Sequence, residues 1–271
     1  MDYLQYLRKD KMPHIWCDGC GHGIVLKSIL RVIDKLGWDK NNIAMISGIG
    51  CSSRTPGYVD FNTLHTTHGR GLTFATGLKI ARPDLHVIVV SGDGDATAIG
   101  GNHFIHAARR NIDISVIIYN NYIYGMTGGQ VSPTTPGGKK ASTTPYGNPD
   151  TPFDISRLAQ AAGAAYVARS TAFHVGKMDR YIEQAFTKTG FSVVEVLTPC
   201  PTSYGRRNKE GRGVDMLMYQ KQNSIGIEQA KGKTAEELKG KYITGVFVDK
   251  EQADYRQRYD EVIKKASKLN K

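Results

Sequence analysis

Two short apolar runs, each ending in small polar residues and set one crossover apart, restrict this chain to a narrow group of folds. The first is V-I-V-V-S-G-D-G-D, beginning at Val87, and the second is S-V-I-I-Y-N-N-Y-I-Y-G-M-T-G-G-Q, ending at Gln130. Short runs rich in β-branched residues, closed by glycine or asparagine, suit strands buried on both faces of a parallel sheet. Ala98 to Arg110 has the length and spacing of the helix that crosses between them. Asp93 and Asn121 are 28 residues apart, close to the ~30 residues of one βαβ unit. Both therefore belong at the carboxyl edge of neighbouring strands, where open α/β sheets take their ligands.

The residue types at that edge suit a metal-bound diphosphate. Gly92 and Gly94 lack the Cβ atoms that would hold an anion away from the backbone, while Asp93 and Asn121 offer hard oxygens. Magnesium needs such oxygens in near-octahedral array and usually combines one or two from the protein with those of a phosphate. Alone, G-D-G is a glycine turn behind a strand, and Asn120-Asn121 opens another turn. At the spacing of one βαβ unit the two resemble the thiamine diphosphate motif, in which the Asp, the second Asn and the carbonyl two residues on hold Mg²⁺. That resemblance implies Asp93, Asn121 and the Ile123 carbonyl as ligands.

The remaining pattern alternates in the same way. Apolar residues from Gly23 to Leu36 keep helical spacing, Ile43 to Ser47 reads as a strand, and a helix is expected from Gly71 to Ala81. Asp154 to Ala162 and His174 to Lys188 read as helices, Tyr166 to Ala168 and Phe191 to Leu197 as strands. The pattern predicts a doubly wound, mostly parallel α/β sheet with helices on both faces. Residues 1–22 form a loop-rich lead-in. The stretch from Ser132 to Pro152, rich in Pro, Gly, Thr and Lys, is too long for an idle connection and reads as a functional loop. We divide the chain into a cofactor-binding domain, residues 1–200, and a C-terminal arm, residues 201–271, with surface helices at Glu236 to Tyr242 and Lys250 to Lys268.

With 271 residues, 40% apolar and 23% charged, the composition is that of a globular protein with a sizeable core. No apolar run approaches membrane-spanning length and the N-terminal residues lack a signal-peptide core, so a cytoplasmic protein is expected. The net charge of +11 raises the question of nucleic acid. Residues 201–271 carry 16 Lys and Arg against 10 Asp and Glu, and throughout the chain bases are mixed with acids and build no aromatic-basic platform. A solvated surface, or an acidic protein partner, fits better than a nucleic acid.

Four cysteines remain: Cys17 and Cys20 as a C-x-x-C pair, then Cys51 and Cys200 as single residues. Zinc Cys₄ sites usually come as two close pairs. One pair and two singletons leave open a redox pair with unrelated thiols, or a [4Fe–4S] cluster whose ligands come from separate loops. The neighbouring residues narrow this. I-W-C-D-G-C-G-H-G-I, I-S-G-I-G-C-S-S-R, T-T-H-G-R-G and V-L-T-P-C-P-T resemble the catalytic beta subunit of the 2-oxoacid:ferredoxin oxidoreductases, from about Pro13 to Pro201.

The resemblance implies a thiamine diphosphate-binding fold of the pyrophosphate type, with Cys17, Cys20, Cys51 and Cys200 on one [4Fe–4S] cluster beside the cofactor. It implies cofactor contacts from Ile49, Gly50, Cys51 and Ser52, from His68 and Gly69, from Gly92, Asp93, Gly94 and Asp95, and from Asn121, Ile123, Gly125, Met126 and Thr127. His22 and His65 are read as structural. The reaction implied is oxidative decarboxylation of a 2-oxoacid with coenzyme A, its electrons passing through the cluster to ferredoxin. P-H-I-W-C-D-G-C-G-H-G and Y-G-M-T-G-G-Q-V-S-P-T-T-P look most like the 2-oxoglutarate branch, which gives succinyl-CoA. Pyruvate, branched-chain 2-oxoacids and a thiamine decarboxylase or synthase without redox chemistry are the alternatives. Some relatives carry a lysine where this chain has Gly128, so substrate contacts do not carry over; Arg54, Lys139 or a partner could meet a distal carboxylate.

A glutamate normally drives the aminopyrimidine of thiamine to activate its own reactive carbon. The first glutamate here is Glu183, and no cofactor-edge loop before it holds one. An alpha subunit is expected to supply that acid, and gamma and delta subunits are possible further partners. The purified single chain should therefore turn over no 2-oxoacid, and robust activity without a partner subunit would contradict the assignment.

Overall fold

The computed structural model describes residues 2–269; residue 1 of the 1–200 unit and residues 270–271 of the arm lie outside them. Ten strands are present: β1 (Ile43–Ser47), β2 (Asn62–His65), β3 (His86–Gly92), β4 (Ser115–Asn120), β5 (Ile123–Tyr124), β6 (Gln130–Val131), β7 (Tyr166–Thr171), β8 (Ser192–Leu197), β9 (Ser224–Gly226) and β10 (Tyr242–Asp249). Eight form one sheet in the order β2-β1-β3-β4-β8-β7-β10-β9, and β5 and β6 make a separate small hairpin. The pairings from β2 through β7 are all parallel, and β10 joins β7 antiparallel.

Alternation of side chains across the pleat explains why the central strands are apolar throughout. In β1, Ile43 and Met45 enter one core while Ala44 and Ile46 enter the other. Ile88 and Val90 oppose Val87 and Val89 on β3, and Ile117 and Tyr119 oppose Val116 and Ile118 on β4, in the same way. Helices His22–Leu36 and Val175–Thr187 supply buried residues to the first core, and Gly71–Ala81, Gly101–Arg110 and Ile155–Ala161 to the second. Burying both faces needs helices on both sides, and the βα alternation provides them. With β2 beyond β1 and β3 on its other side, the connection reverses direction between β1 and β3, which is the switch point where such sheets bind ligands.

Several expected boundaries move. The crossover helix begins at Gly101 rather than Ala98, because Asp95–Ile99 forms a wide turn first; Asp95 is tied to other loops and cannot wind into a regular helix. Asp154 is a cap rather than a helical residue, its side chain accepting from Arg157 N. The arm differs most. Glu236 to Tyr242 is not a helix but a run of turns leading into β10, which extends the main sheet, and a helix Gly213–Asn223 precedes it. The terminal helix runs Tyr255–Leu269. Edge pairing to β7, which local propensity does not reveal, decides these residues.

Where β7 meets β8, Arg169 lies buried between two acids. Its Nε donates to Glu195 Oε2 at 2.7 Å, its far nitrogen meets Asp154, and Nη1 reaches the Ile243 carbonyl of β10 at 3.3 Å. Ser156 Oγ and Asn120 Nδ2 also donate to Glu195, at 2.7 and 2.8 Å. Removing one partner from such a group strands a buried charge. Arg169→Met is expected to cost about 3–5 kcal/mol, read as a lowered urea midpoint; an unchanged midpoint would show that the pair does not hold the arm to the sheet.

Candidate functional site

The loops behind β1, β3 and β4 close round a cavity of about 160 Å³. Ile49 to Ser52 line it from the first loop, Gly92 to Asp95 from the second, and Asn121, Ile123 and Gly125 to Thr127 from the third, with His68 beside them. All the expected cofactor residues except Gly69 reach this one cavity. His22, Tyr119 and Tyr124 line it as well, and sequence reasoning did not single out the two tyrosines.

Asp93 and Asn121 meet at its floor. The outer atom of the Asn121 carboxamide lies 3.2 Å from Asp93 Oδ1 and 2.7 Å from the Ile123 carbonyl oxygen. As an amino group that atom donates to both; as an oxygen it completes a set of three acceptors that only a cation can hold together. Asp93 Oδ2 accepts from Ser132 Oγ at 2.5 Å and Thr134 Oγ1 at 2.6 Å, so Oδ1 is the oxygen turned to the carboxamide. Burial pushes the Asp93 carboxyl up from its ordinary range, and these hydroxyls pull it back.

Between the two ligands of the third loop, Tyr122 adopts the left-handed backbone conformation, φ 64°. A bulky residue occupies that region only when its surroundings impose it. Here the Tyr122 ring is anchored against Tyr204 and Tyr242, with centroids 5.9 and 6.5 Å away, and Thr135 Oγ1 donates to its carbonyl at 2.5 Å. The reversed peptide lets Asn121 and the Ile123 carbonyl face the same point. Ser52 Oγ, buried on the cavity wall, has no hydrogen-bond partner among the described atoms, which leaves a donor free for a bound group.

Asp95 lines the cavity and also ties its loops together. Its Oδ1 accepts from His68 Nδ1 at 2.7 Å, Gly69 N at 2.7 Å and Ile49 N at 3.1 Å, and its Oδ2 from Ser91 Oγ at 2.6 Å. Both oxygens are therefore spent on tying the first loop, the loop after β2 and β3 together. Gly69 likewise gives its amide to Asp95 instead of the cavity, and Arg70 reaches the Ile99 carbonyl. At Gly48 a Cβ would fall 2.2 Å from Asp95 Oδ1, so only glycine admits the clamp. His68 lines the cavity with its Nδ1 held at Asp95 Oδ1. His65 lies on β2, 3.4 Å from Ser47 Oγ, as a structural histidine.

The four cysteines are free thiols. Cys51 Sγ and Cys200 Sγ come within 3.3 and 3.7 Å of the place a Cβ would take on Gly125. Cys17 and Cys20 border a second, shallower depression, and Trp16 Nε1 ties their loop to the Cys51 carbonyl at 2.7 Å. Burial, with the neighbouring thiols adding to it, pushes Cys20 up to about 11 and Cys51 up to about 12. Among the described residues no three His, Cys, Asp or Glu side chains converge on one point as they would round a single ion. A four-iron cluster binds one thiolate at each of its corners and needs them spread instead. Burial draws His22 down to about 4, so it stands neutral in the wall.

Of the cations named for a substrate carboxylate, Lys139 is paired with Glu210 in a different cavity of about 420 Å³, and Arg54 is exposed outside the first one. Among the described residues no Lys or Arg lines the Asp93 cavity.

Residues 48–196 match the family described as thiamine pyrophosphate enzyme, C-terminal TPP binding domain. The chain is 52% identical over 262 residues to the 2-oxoglutarate synthase subunit KorB of Methanocaldococcus jannaschii, covering 97% of each. It is 51% identical over 269 residues to the protein of the same name from Methanothermobacter marburgensis, covering 99% of this chain and 94% of that one. Among solved structures it resembles a 2-oxoglutarate:ferredoxin oxidoreductase from Magnetococcus marinus with 2-oxoglutarate, coenzyme A and succinyl-CoA bound. The TM-score is 0.87 at 34% identity, over 98% of this chain and 91% of that one.

Asp95→Ala leaves two backbone amides and a buried hydroxyl unpaired, each costing about 1–3 kcal/mol. The expected result is a lowered thermal midpoint together with loss of the further rise on adding Mg²⁺ and thiamine diphosphate. A variant that keeps that rise would show that the clamp does not shape the cavity.

Proposed function

Because this chain belongs to the thiamine pyrophosphate enzymes, and among them to the beta subunits of 2-oxoglutarate:ferredoxin oxidoreductases, we propose that Asp93, Asn121 and the Ile123 carbonyl hold the Mg²⁺ of a bound thiamine diphosphate. The observation that carries this is the facing of those three groups at 2.7 and 3.2 Å. Ser52, His68, Gly92, Gly94 and the Gly125–Thr127 turn border the same cavity and are assigned to its diphosphate and thiazole. Gly69 and Asp95 are assigned a positioning role. The cofactor, when bound, supplies the nucleophilic carbon that separates a 2-oxoacid carbonyl from its carboxylate.

The cavity's own residues do the rest. With no Lys or Arg among the described residues of its lining, the diphosphate charge falls to the metal, the hydroxyls and the backbone donors of the glycine turns. His68, held by Asp95 through Nδ1, borders the bound group. Asp93 and Asp95, the carboxylates that line the cavity, are both engaged. The acid that activates the aminopyrimidine must then come from another chain. Size supports this: about 160 Å³ falls below the roughly 300–1,000 Å³ of ordinary ligand pockets, so the site takes one end of the cofactor and leaves the other for the alpha subunit to enclose.

We assign Cys17, Cys20, Cys51 and Cys200 to one [4Fe–4S] cluster that carries electrons singly toward ferredoxin. The Cys51 and Cys200 sulfurs beside Gly125, the charge coupling of Cys51 to Cys200, Cys20 and Cys17, and the Trp16 tie between the two loops support that reading. The substrate is 2-oxoglutarate, with coenzyme A, giving succinyl-CoA and CO₂; its cation comes from a partner subunit, and pyruvate or a branched-chain 2-oxoacid is the alternative. Gamma and delta subunits complete the assembly where present. We place the cofactor unit at residues 1–200, a span that contains the family match at 48–196, and the arm at 201–271. Among the described residues no helix is long and apolar enough to cross a membrane, and we assign the enzyme to the cytoplasm.

The assembled enzyme, purified without oxygen, should hold iron and acid-labile sulfide in equal amounts, give the EPR signal of a reduced cluster and form succinyl-CoA. Asp93→Ala should abolish the thermal shift with Mg²⁺ and thiamine diphosphate while leaving iron and sulfide in place. Zinc without sulfide would overturn the cluster, and an undiminished shift in Asp93→Ala would overturn the metal site.

A further inference from the structure

The segment Ser132–Thr135 stands behind the cavity floor, and its hydroxyls are aimed with unusual consistency. Ser132 Oγ and Thr134 Oγ1 both donate to the same oxygen of Asp93, Oδ2, at 2.5 and 2.6 Å, and neither is placed on Oδ1. Thr134 Oγ1 also lies 3.0 Å from Asn120 Oδ1, which joins it to the Glu195 group through Asn120 Nδ2. Thr135 Oγ1 holds the carbonyl of Tyr122, and its own carbonyl accepts from Asn148 Nδ2 at 2.7 Å. All three hydroxyl side chains are buried.

This arrangement divides the work of one carboxylate. With two donors on Oδ2, only Oδ1 is left to face the Asn121 carboxamide and the Ile123 carbonyl. A carboxylate presented through a single oxygen suits a small ion that demands near-octahedral geometry at ~2.0–2.1 Å, whereas a larger ion at ~2.3–2.6 Å accepts carboxylates through both oxygens. We propose that Ser132 and Thr134 are positioning residues that keep Asp93 to one coordinating oxygen and thereby set the site's preference for Mg²⁺ over Ca²⁺. This rests on the reading of Asp93 as a metal ligand. The signal is invisible in sequence, where S-P-T-T is a run of turn-forming residues.

The test is metal competition on the assembled hetero-oligomer with thiamine diphosphate present. Free Mn²⁺ is followed by EPR, and Mg²⁺ or Ca²⁺ is added to displace it. In Ser132→Ala and Thr134→Val the dissociation constant for Mg²⁺ should rise about tenfold or more and that for Ca²⁺ by distinctly less, while Thr134→Ser, which keeps the hydroxyl, stays near wild type. Turnover at saturating Mg²⁺ should recover, so the loss appears in the metal requirement. Equal weakening toward both ions, or none, overturns the proposal and leaves the metal site standing. A wild-type enzyme that binds no Mn²⁺ with the cofactor present overturns the metal site and the proposal together. Iron, sulfide and the thermal midpoint are read on the same samples, and should Thr134→Val not assemble, Ser132→Ala and Thr134→Ser decide the outcome.

Discussion

The structure depends on how closely a few polar groups are brought together at the edge of the sheet. Three oxygen-bearing groups from two loops are pressed together in a buried pocket, with a carboxylate among them. In a low-dielectric interior such crowding is unfavourable unless a cation sits between the groups or an amide turns to donate. Everything nearby holds the crowding in place. The Ser132 and Thr134 hydroxyls fix Asp93, the left-handed Tyr122 reverses the peptide between Asn121 and Ile123, and Tyr204 from the segment after Cys200 packs on the Tyr122 ring. A pocket this constrained before anything binds would spend little free energy on ordering in taking the proposed cation.

Much of this was legible in the sequence because it follows from burial. Strands covered on both faces must be apolar at most positions, so β1, β3, β4 and β8 announce themselves, and the loops that follow them lie at the sheet edge. Asp93, Asn121 and Cys51 could be placed on that logic without any contact being known. The helices Gly71–Ala81 and Gly101–Arg110 were legible for the complementary reason, since a parallel sheet requires crossovers of their length.

What could not be read depended on partners distant in sequence. Strand β10 carries exposed and half-buried residues and is a strand because β7 offers an open edge. Strand β2 is mostly exposed, at the opposite edge, and has no apolar signature. Asp95 stands two residues from Asp93 in the same G-D-G-D run, and nothing local separates them: one faces the cavity with a free oxygen, the other is consumed by amides of Ile49 and Gly69 and by His68. Which carboxylate is free is settled by the loops that arrive from β1 and β2. Gly69 shows the same dependence, its amide being claimed by a carboxylate 26 residues away.

The placement of hard and soft donors at one edge explains why the two sets share loops. Cys51 follows β1, where its thiol faces Gly125, while its neighbour Ser52 sits against Gly92 at 3.2 Å from the position of a Cβ. Oxygen donors suit a hard divalent cation and thiolates suit iron–sulfur clusters, so each set rejects the other's metal without needing distance to keep them apart. Their closeness carries a cost in sterics, and the chain meets it by omitting a side chain at the contact: a Cβ at 125 would crowd the Cys51 sulfur at 3.3 Å and touch that of Cys200 at 3.7 Å. On the proposed reading, in which a cluster and a nucleophilic cofactor exchange electrons, no side chain stands at residue 125 between the thiols and the Asn121 carboxamide.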